Sequence, residues 1–507
     1  MGRPAVLLCL VVLLGQLLTA SGTIFGSDGA RRFQVTQSLV HHGWVDIQTE
    51  DLAPVGQDGR RYAQYAIGHS LAMAPFYLLG IQAARLFPSR REELVEFCVS
   101  SVNLLATAVL AGLLCLFAQA LGFLPGTGVA LGLLYAFGTM AWQQSKDSFE
   151  HPQIALYLTT LFFLLHRFSR TRRFSTLWAA GTVLGLALLT RYTSFLAYPS
   201  VIVFFAVLAW QNPVGRRFLP WVRWLSCFFL SQIPFVAFDL WFNAVRFGSV
   251  FETGQQQLFG NIFKDGHLLA GLWGLTFRWE YGLIPFNPVL ILWPIGLFLM
   301  VREQKALVGA LITLVVCFPV FYGSTKAVLW TGGWAWGPRF LVDLLPLLVL
   351  TCAPVLEGVR QRCTGRRWAP VMFRLLIVLS VCIQLQSVLV NYNRGFTKRA
   401  LQVQGHSFQA SGFRESPLFL QAENIGEISH SYLQGRFPAC HQRSSVFTSL
   451  ASLDRSISFG SYQLWWVYAL HCGAPAPVIL LYLLLTGLAL FLLARRIRDS
   501  LQGPAGP

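Results

Sequence analysis

The chain has 507 residues, of which 54% are hydrophobic and only 12% are charged. An ordinary soluble domain carries about 25% charged residues, so this composition excludes a water-soluble enzyme. Apolar stretches of about 17 to 25 residues recur along nearly the whole length, each long enough to cross a bilayer as a helix. The uniform apolarity also excludes a transmembrane β-barrel, whose strands alternate at every second residue. The sequence therefore predicts an all-α polytopic membrane protein.

The net charge of +17 arises from 39 Lys and Arg against 22 Asp and Glu. In a soluble protein such an excess would suggest nucleic acid, but here the basic residues form short clusters between apolar segments, which is typical of cytoplasmic loops. We therefore expect no nucleic-acid partner. The clusters lie at residues 167–173, 216–217, 302–305, 360–367 and 495–498.

Thirteen apolar segments follow one another along the chain. They cover residues 4–20, 69–87, 97–119, 127–144, 152–167, 176–191, 194–210, 220–245, 283–301, 306–322, 339–356, 371–390 and 476–494. If every basic cluster is cytoplasmic, the loops at 145–151, 246–282, 323–338 and 391–474 face the outer side.

The first two segments leave two topologies open. Either 4–20 spans the membrane and 69–87 lies in the outer interface, or 69–87 spans and the loop 21–68 is cytoplasmic. Segment 69–87 contains Pro75 and Gly80 and follows Gly68, so it is a poor spanning helix. We favour the first topology, with about twelve transmembrane helices plus interfacial helices in the first outer loop. Residues 1–20 also resemble a secretory signal, but we expect an uncleaved first helix.

The cysteines do not form a disulfide framework, because most of the ten lie in or beside apolar helices. Cys440 and Cys472 share the long outer loop and are able to pair in an oxidising compartment; whether they do is left open. No Cys and His spacing indicates structural zinc. No Asn-X-Ser/Thr sequon occurs, which favours a bacterial inner membrane over the endoplasmic reticulum.

Three polar clusters at predicted helix ends carry the candidate chemistry. The first contains Ser27 and Asp28, directly after the first span. Either residue is a candidate cap for an amphipathic helix at 30–42, whose apolar side chains are expected to lie on the membrane interface. The alternative is functional, since a carboxylate at the depth of lipid headgroups is placed to take a proton from an acceptor hydroxyl.

The second cluster is the short outer loop that ends at Pro152. Its Asp147, Glu150 and His151 are candidates to bind a divalent cation or to position a hydroxyl. The structural alternative is that Pro152 starts the next helix and Glu150 only complements the positive end of that helix.

The third cluster, residues 330–340, places paired glycines between indoles, and an aromatic belt at the interface is its simplest explanation. Arg339 is a candidate phosphate ligand because a guanidinium binds phosphate with two hydrogen bonds; pairing with Asp343 one turn later is the alternative. Arg191 is a second phosphate candidate, with snorkelling to the interface as its alternative. Asp239, inside a predicted span, is a further functional candidate.

At these positions the sequence resembles the GT-C superfamily of polytopic glycosyltransferases, in particular bacterial members related to dolichyl-phosphate-mannose protein mannosyltransferases and aminoarabinose transferases. The resemblance rests on Asp28, on the run 58–71 before an interfacial helix, and on the Gly-rich Trp motif that ends at Pro338 and Arg339. The chain departs from its relatives at Gln64, where a lysine is common.

The resemblance implies sugar transfer from a polyprenyl-phosphate donor to an envelope acceptor at the outer face, with inversion at the anomeric carbon. Asp28 would then be the general base, and Arg339, with Arg191 second, would stabilise the leaving phosphate. Asp147, Glu150 and His151 would orient the acceptor or hold a metal ion; a divalent cation is the only cofactor this suggests. Membrane lipids and the lipid-linked sugar are the implied partners.

Two other classes of function stay open at the level of sequence. One is a transporter or flippase for lipid-linked saccharides, which would need a polar path through the midplane of the membrane. The other is a non-enzymatic envelope scaffold that recruits a partner through its long outer loop. We divide the chain into a catalytic membrane region at 1–390 with an outer loop at 21–96, an outer loop or small subdomain at 391–474, and a last helix with a basic tail at 475–507.

Overall fold

The structure is a computed structural model, and it describes residues 2–24, 26–48, 53–211, 218–361, 368–402, 412–438 and 450–502. Over these ranges the chain is almost entirely helical, and its β-structure is limited to isolated bridges such as that between Asp46 and Tyr62. The all-α fold predicted from composition is confirmed. Several predicted features, including the basic pair at 216–217 and Cys440, lie outside the described residues.

The helices of eight or more residues within these ranges are labelled here in chain order. They are α1 (Gly2–Thr19), α2 (Ser27–His42), α3 (Gly68–Leu86), α4 (Arg91–Ala120), α5 (Pro125–Gly138), α6 (His151–Thr171), α7 (Phe174–Thr190), α8 (Tyr198–Trp210), α9 (Phe218–Leu230), α10 (Ile233–Phe247), α11 (Leu268–Phe277), α12 (Trp293–Met300), α13 (Lys305–Gly323), α14 (Ala353–Gln361), α15 (Trp368–Leu389), α16 (Asn393–Gln402), α17 (Pro417–Leu433) and α18 (Ala476–Gln502).

The described helices are those of a multi-pass membrane protein. Seven of them are long and apolar enough to cross a membrane, and an eighth span results if α9 and α10, bent by 44° at their junction, count as one. The other predicted spans fall on helices that are shorter (α5, α7 and α12) or less apolar (α6). Each of the twelve segments predicted to span is therefore helical. The third helix, α3, does not qualify as a span by these criteria, in agreement with the interfacial assignment of 69–87.

The helix after the first span differs from its prediction in two ways. It begins at Ser27 and not at residue 30, and Gly26 occupies its cap position without any side-chain cap, so the capping role considered for Ser27 and Asp28 is wrong. Its apolar residues do not form a membrane face. Phe33 packs edge-on against Tyr77 of α3 at 5.6 Å, because α2 and α3 bury their apolar faces against each other.

A glycine brings α2 close to the loop between α5 and α6. A Cβ atom at Gly29 would lie 2.6 Å from the Cβ of Ser148, so only glycine allows this approach. The contact places the first turn of α2 directly beside residues 145–150. Two segments more than a hundred residues apart in sequence thus meet at one end of the helix bundle.

The segment after α15 packs back onto the same end of the bundle. The indole N–H groups of Trp465 and Trp466 donate hydrogen bonds to the carbonyl oxygens of Leu17 and Leu18, at the end of α1. Cys472 in this segment is disulfide-bonded. Because Cys440 lies outside the described residues, the proposed pairing of the two cysteines stays a prediction.

Candidate active site

Asp28 lies in the first turn of α2, and its carboxylate is about one-fifth exposed. Its Oδ2 atom is 3.3 Å from Nη1 of Arg339, a residue 311 positions later in the chain. Burial by itself raises the pKa of Asp28, but the guanidinium groups of Arg339 and Arg32 and a hydrogen bond from Tyr65 outweigh burial and lower it. Asp28 is therefore ionised at neutral pH.

Glu150 lies between two arginines at the start of α6. Its Oε2 atom is 2.5 Å from Nη2 of Arg32, and its Oε1 atom is 2.9 Å from Nη1 of Arg191. The three side chains are 7%, 3% and 12% exposed, in the order Glu150, Arg32, Arg191, so this is a buried cluster of one carboxylate and two guanidiniums. Burial raises the pKa of Glu150, but the two arginines outweigh burial and lower it.

His151 and Asp343 form a buried pair beside this cluster. His151 Nδ1 is 2.8 Å from Asp343 Oδ1, and Arg191 Nη1 lies 3.1 Å from the imidazole nitrogens. The alternative considered from sequence, in which Asp343 pairs with Arg339, is wrong: in the short helix Arg339–Leu344, Asp343 pairs with His151 of α6, and Arg339 pairs with Asp28. His151 thereby connects the arginine cluster to the helix that begins at Arg339.

Arg191 does not snorkel to an interface, because it is enclosed by protein groups. Besides Glu150, its guanidinium donates to the hydroxyls of Tyr322 and Thr193, at 3.0 and 2.8 Å. Its guanidinium carbon also lies 5.0 Å from the ring centre of Phe340, which stacks on Tyr322. The snorkelling alternative is therefore wrong.

Arg339 follows a loop whose backbone requires glycine. Gly332 has φ of +74°, and a Cβ there would lie 2.9 Å from Cγ of Arg339. The aromatic-belt explanation is wrong for Trp330 and Trp336, which are 6% and 0% exposed. The indole of Trp336 donates to Gln384 in α15, so this loop is packed into the protein and presents Arg339 towards Asp28.

Asp147 is buried in the loop before α6 and points to the segment that follows α15. Its Oδ2 atom accepts hydrogen bonds from Gln143 at 3.0 Å and Tyr392 at 3.3 Å. Burial raises the pKa of Asp147 to about 6. The neighbouring Lys146 points elsewhere and donates to the carbonyls of Val388 and Gln463. Asp147 therefore contacts the segment that follows α15, and among the described residues it has no arginine partner.

The residues predicted from sequence thus come together at one site. Asp28 contacts Arg339 directly. Separately, Arg191 contacts both Glu150 and His151. Arg32 joins the two, because it pairs with Glu150 and acts on the charge of Asp28. Asp239 lies apart from this site, in α10 near Arg246, and Arg278 forms a local ion pair with Glu280.

Four site residues were missed by sequence reasoning: Arg32, Tyr65, Tyr322 and Tyr392. Arg32 had a signal, since it lies one helical turn after Asp28 and residues four apart share a helix face. Tyr65 lies in the run 58–71 that carries the family resemblance, but nothing in that run indicated its contact with Arg32. Tyr322 and Tyr392 had no signal, because each lies at or just after the end of an unrelated apolar segment.

The donor set does not fit a divalent cation. Asp28 and Glu150 each face a guanidinium, and Asp147 accepts from neutral donors. Within the described ranges no group of three or more His, Cys, Asp and Glu side chains is placed to hold a metal ion. Divalent cations need several oxygen ligands free of such partners. We derive no step through a metal.

Comparison with known proteins finds a family for part of the chain. Residues 85–238 match the family model described as dolichyl-phosphate-mannose-protein mannosyltransferase. The match covers less than a third of the chain, and it includes the loop with Asp147 and Glu150, and Arg191, but not Asp28 or Arg339. Over these residues it confirms the resemblance to GT-C glycosyltransferases. No curated protein sequence matches.

Several solved structures resemble most of the chain distantly. ArnT from Cupriavidus metallidurans bound to undecaprenyl phosphate is 14% identical, with a TM-score of 0.47 over 84% of this chain and 78% of that one. The apo form of that ArnT is 15% identical, with a TM-score of 0.49 over 85% and 69%. The Archaeoglobus fulgidus oligosaccharyltransferase is 12% identical, with a TM-score of 0.45 over 79% and 57%.

Proposed function

We propose that this protein is a membrane glycosyltransferase that moves a sugar from a polyprenyl-phosphate donor to an envelope acceptor at the outer face of a bacterial inner membrane. The observation that carries the proposal is a cluster at one end of the helix bundle, in which Asp28 pairs with Arg339 and Glu150 pairs with Arg32 and Arg191. The family match over residues 85–238 supports the reaction class, since that family uses a dolichyl-phosphate-linked sugar.

Asp28 is the general base of the proposed reaction. The acceptor hydroxyl attacks the anomeric carbon of the sugar, the bond from that carbon to the phosphate oxygen breaks, and configuration inverts. The proton of the hydroxyl passes to the Asp28 carboxylate, which is ionised and about one-fifth exposed. A positioned base of this kind contributes roughly 10²- to 10⁴-fold to the rate.

The arginines stabilise the leaving group. The departing polyprenyl phosphate gains negative charge as the sugar leaves, and preorganised guanidiniums lower the energy of that charge. Arg339 is the first candidate because it is partly exposed, at 19%, and has a single carboxylate partner. Arg191 is the second candidate, because its guanidinium already donates hydrogen bonds to Glu150 and Tyr322.

Glu150, His151 and Asp147 are proposed to orient the acceptor. Glu150 does so indirectly, because its two oxygens face Arg32 and Arg191. His151 holds Arg191 against the helix of Asp343. Asp147, with an oxygen shared between Gln143 and Tyr392, is the carboxylate of this group with no arginine partner in the described chain.

The test of this function is the Asp28→Asn variant with Asp58→Asn as its matched control. Asp58 lies in the same loop region, accepts a hydrogen bond from Tyr62 and is 41% exposed, so its loss leaves the site unchanged.

Full-length variants in nanodiscs would be given undecaprenyl-phosphate-linked sugars and membrane extract as acceptor, and released undecaprenyl phosphate would be measured by mass spectrometry. We expect loss of release in Asp28→Asn only. Release at the wild-type rate by folded Asp28→Asn refutes the proposal for Asp28, and substrate movement without release by the wild type would indicate a flippase.

A further inference from the structure

Tyr65 contacts both charged groups of α2 that face the site. Its hydroxyl lies beside the Asp28 carboxylate and helps to lower the pKa of that group. Its ring lies under the guanidinium of Arg32, 3.8 Å from the guanidinium carbon to the ring centre. The same hydroxyl accepts a hydrogen bond from Nε2 of Gln64 at 2.9 Å. The side chain of Tyr65 thus lies against both the Asp28 carboxylate and the Arg32 guanidinium, which are one turn apart on α2.

We propose that Tyr65 is a positioning residue, whose hydroxyl and ring together hold the Asp28 carboxylate in the orientation that receives the acceptor proton. This inference rests on the proposed function, in which Asp28 is the general base. Tyr65 acts through Asp28 and Arg32 and takes no part in bond making. The ring fixes Arg32, and the hydroxyl fixes one carboxylate oxygen.

The chemistry of the phenol suits this role. Burial raises the pKa of Tyr65, and the charge of Asp28 raises it further, so the hydroxyl is protonated at neutral pH and is available as a donor. The charged groups that face Asp28 are Arg339 from the short helix at 339–344, Arg32 from α2 and Glu150 from the loop before α6. When a donor phosphate engages Arg339, the Tyr65 hydroxyl and Arg32 remain as the partners that keep Asp28 in place.

The chain provides a closely matched control. Tyr62 lies three residues before Tyr65, is fully buried, and its hydroxyl donates to the carboxylate of Asp58 at 2.7 Å. The two tyrosines lie in the same segment, and each has a hydroxyl beside an aspartate. Tyr65→Phe and Tyr62→Phe therefore each remove one such hydroxyl and retain the ring. Only the first of these aspartates is at the site.

The experiment is an infrared titration of the purified full chain in nanodiscs, with the Asp28 carboxyl band assigned by its loss in Asp28→Asn. We expect the protonation midpoint of Asp28 to rise by about one pH unit in Tyr65→Phe, because a hydrogen bond to a charged group favours the ionised form by about that much. Tyr62→Phe should leave the midpoint unchanged. A smaller rise is expected in Gln64→Leu, which leaves the phenol without its own donor, and this variant serves if Tyr65→Phe does not fold.

The kinetic arm uses sugar transfer by the same variants. In Tyr65→Phe we expect kcat to fall about tenfold with an unchanged donor KM, and the acid limb of the pH profile to move up with the Asp28 midpoint. An unchanged midpoint in folded Tyr65→Phe overturns the proposal whatever the activity. A raised midpoint in a protein that transfers no sugar supports the positioning of Asp28 by Tyr65 and refutes the enzymatic function instead.

Discussion

Replacing Glu150 by glutamine separates two explanations of this residue. In the first, Glu150 only complements the positive end of α6, an effect of about 0.3–1 kcal/mol. In the second, it is the shared partner of Arg32 and Arg191. Glutamine keeps the shape of the side chain, so the substitution removes the negative charge without creating a cavity.

The burial of the cluster decides the expected magnitude. With side chains only 3%, 7% and 12% exposed, neither arginine has access to water that would replace the carboxylate. Breaking a buried ion pair by removing one partner costs about 3–5 kcal/mol, because an uncompensated charge stays in the interior. We therefore expect Glu150→Gln to lower the free energy of unfolding by about 3–5 kcal/mol.

The assay is unfolding of the full chain in mixed micelles, followed by helix content during an SDS titration. Glu303→Gln is the control, since Glu303 is exposed, and it should change stability by less than about 0.5 kcal/mol. Adding Arg32→Met to Glu150→Gln should recover part of the loss, because one of the unpaired charges is then gone. A loss of no more than about 1 kcal/mol in Glu150→Gln would contradict the buried-cluster reasoning and favour the helix-end explanation.

Three further predictions concern other parts of the molecule. Burial raises the pKa of Asp147 to about 6, against about 3.9 in an unfolded chain. Protonated Asp147 therefore stabilises the folded state at low pH, and this stabilisation is lost as pH rises from about 4 to 6. Asp147→Asn should remove that part of the pH dependence of the melting temperature, and an unchanged difference between pH 4 and pH 7 would argue against a buried Asp147. Peptide mapping without reductant should yield a Cys440–Cys472 peptide, and a different partner for Cys472 would refute the proposed bridge. A membrane-impermeant thiol reagent should label a cysteine placed at exposed position 57 from the outer side only, whereas labelling from the cytoplasm would favour the topology in which α3 spans.

The fold was predictable from sequence because the helices that cross a membrane are long runs of apolar residues. Each of the twelve segments predicted to span contains a helix, since runs of apolar residues must satisfy their backbone groups internally in lipid. The boundary and packing of α2 were not predictable. The helix begins at Ser27, and its packing depends on Gly29, which allows contact with Ser148; nothing in the local pattern of residues 26–42 indicates that neighbour.

The sequence indicated which residues belong to the site but not which of them pair with each other. Asp28, Glu150, Arg191 and Arg339 stood out because charges at the ends of apolar helices are costly and few. Which carboxylate meets which guanidinium depends on the relative rotation of helices that are far apart in sequence. For that reason the sequence offers Arg339, one turn earlier, as an alternative partner for Asp343, whereas in the fold Asp343 pairs with His151.

The pairing of Asp28 with Arg339 has a consequence for the order of events at the site. A guanidinium offers five N–H donors; Nη1 of Arg339 faces Asp28, while its buried Nε has no hydrogen-bond partner among the residues that the structure describes. An incoming phosphate can therefore bind the Nε edge of Arg339 before the contact with Asp28 is lost. As the phosphate draws the guanidinium away, the attraction that lowers the pKa of Asp28 weakens, and the carboxylate becomes a stronger base. In the proposed reaction, binding of the donor would thus activate the base, and a lysine at position 339, with a single point charge, would lack the geometry to serve both partners.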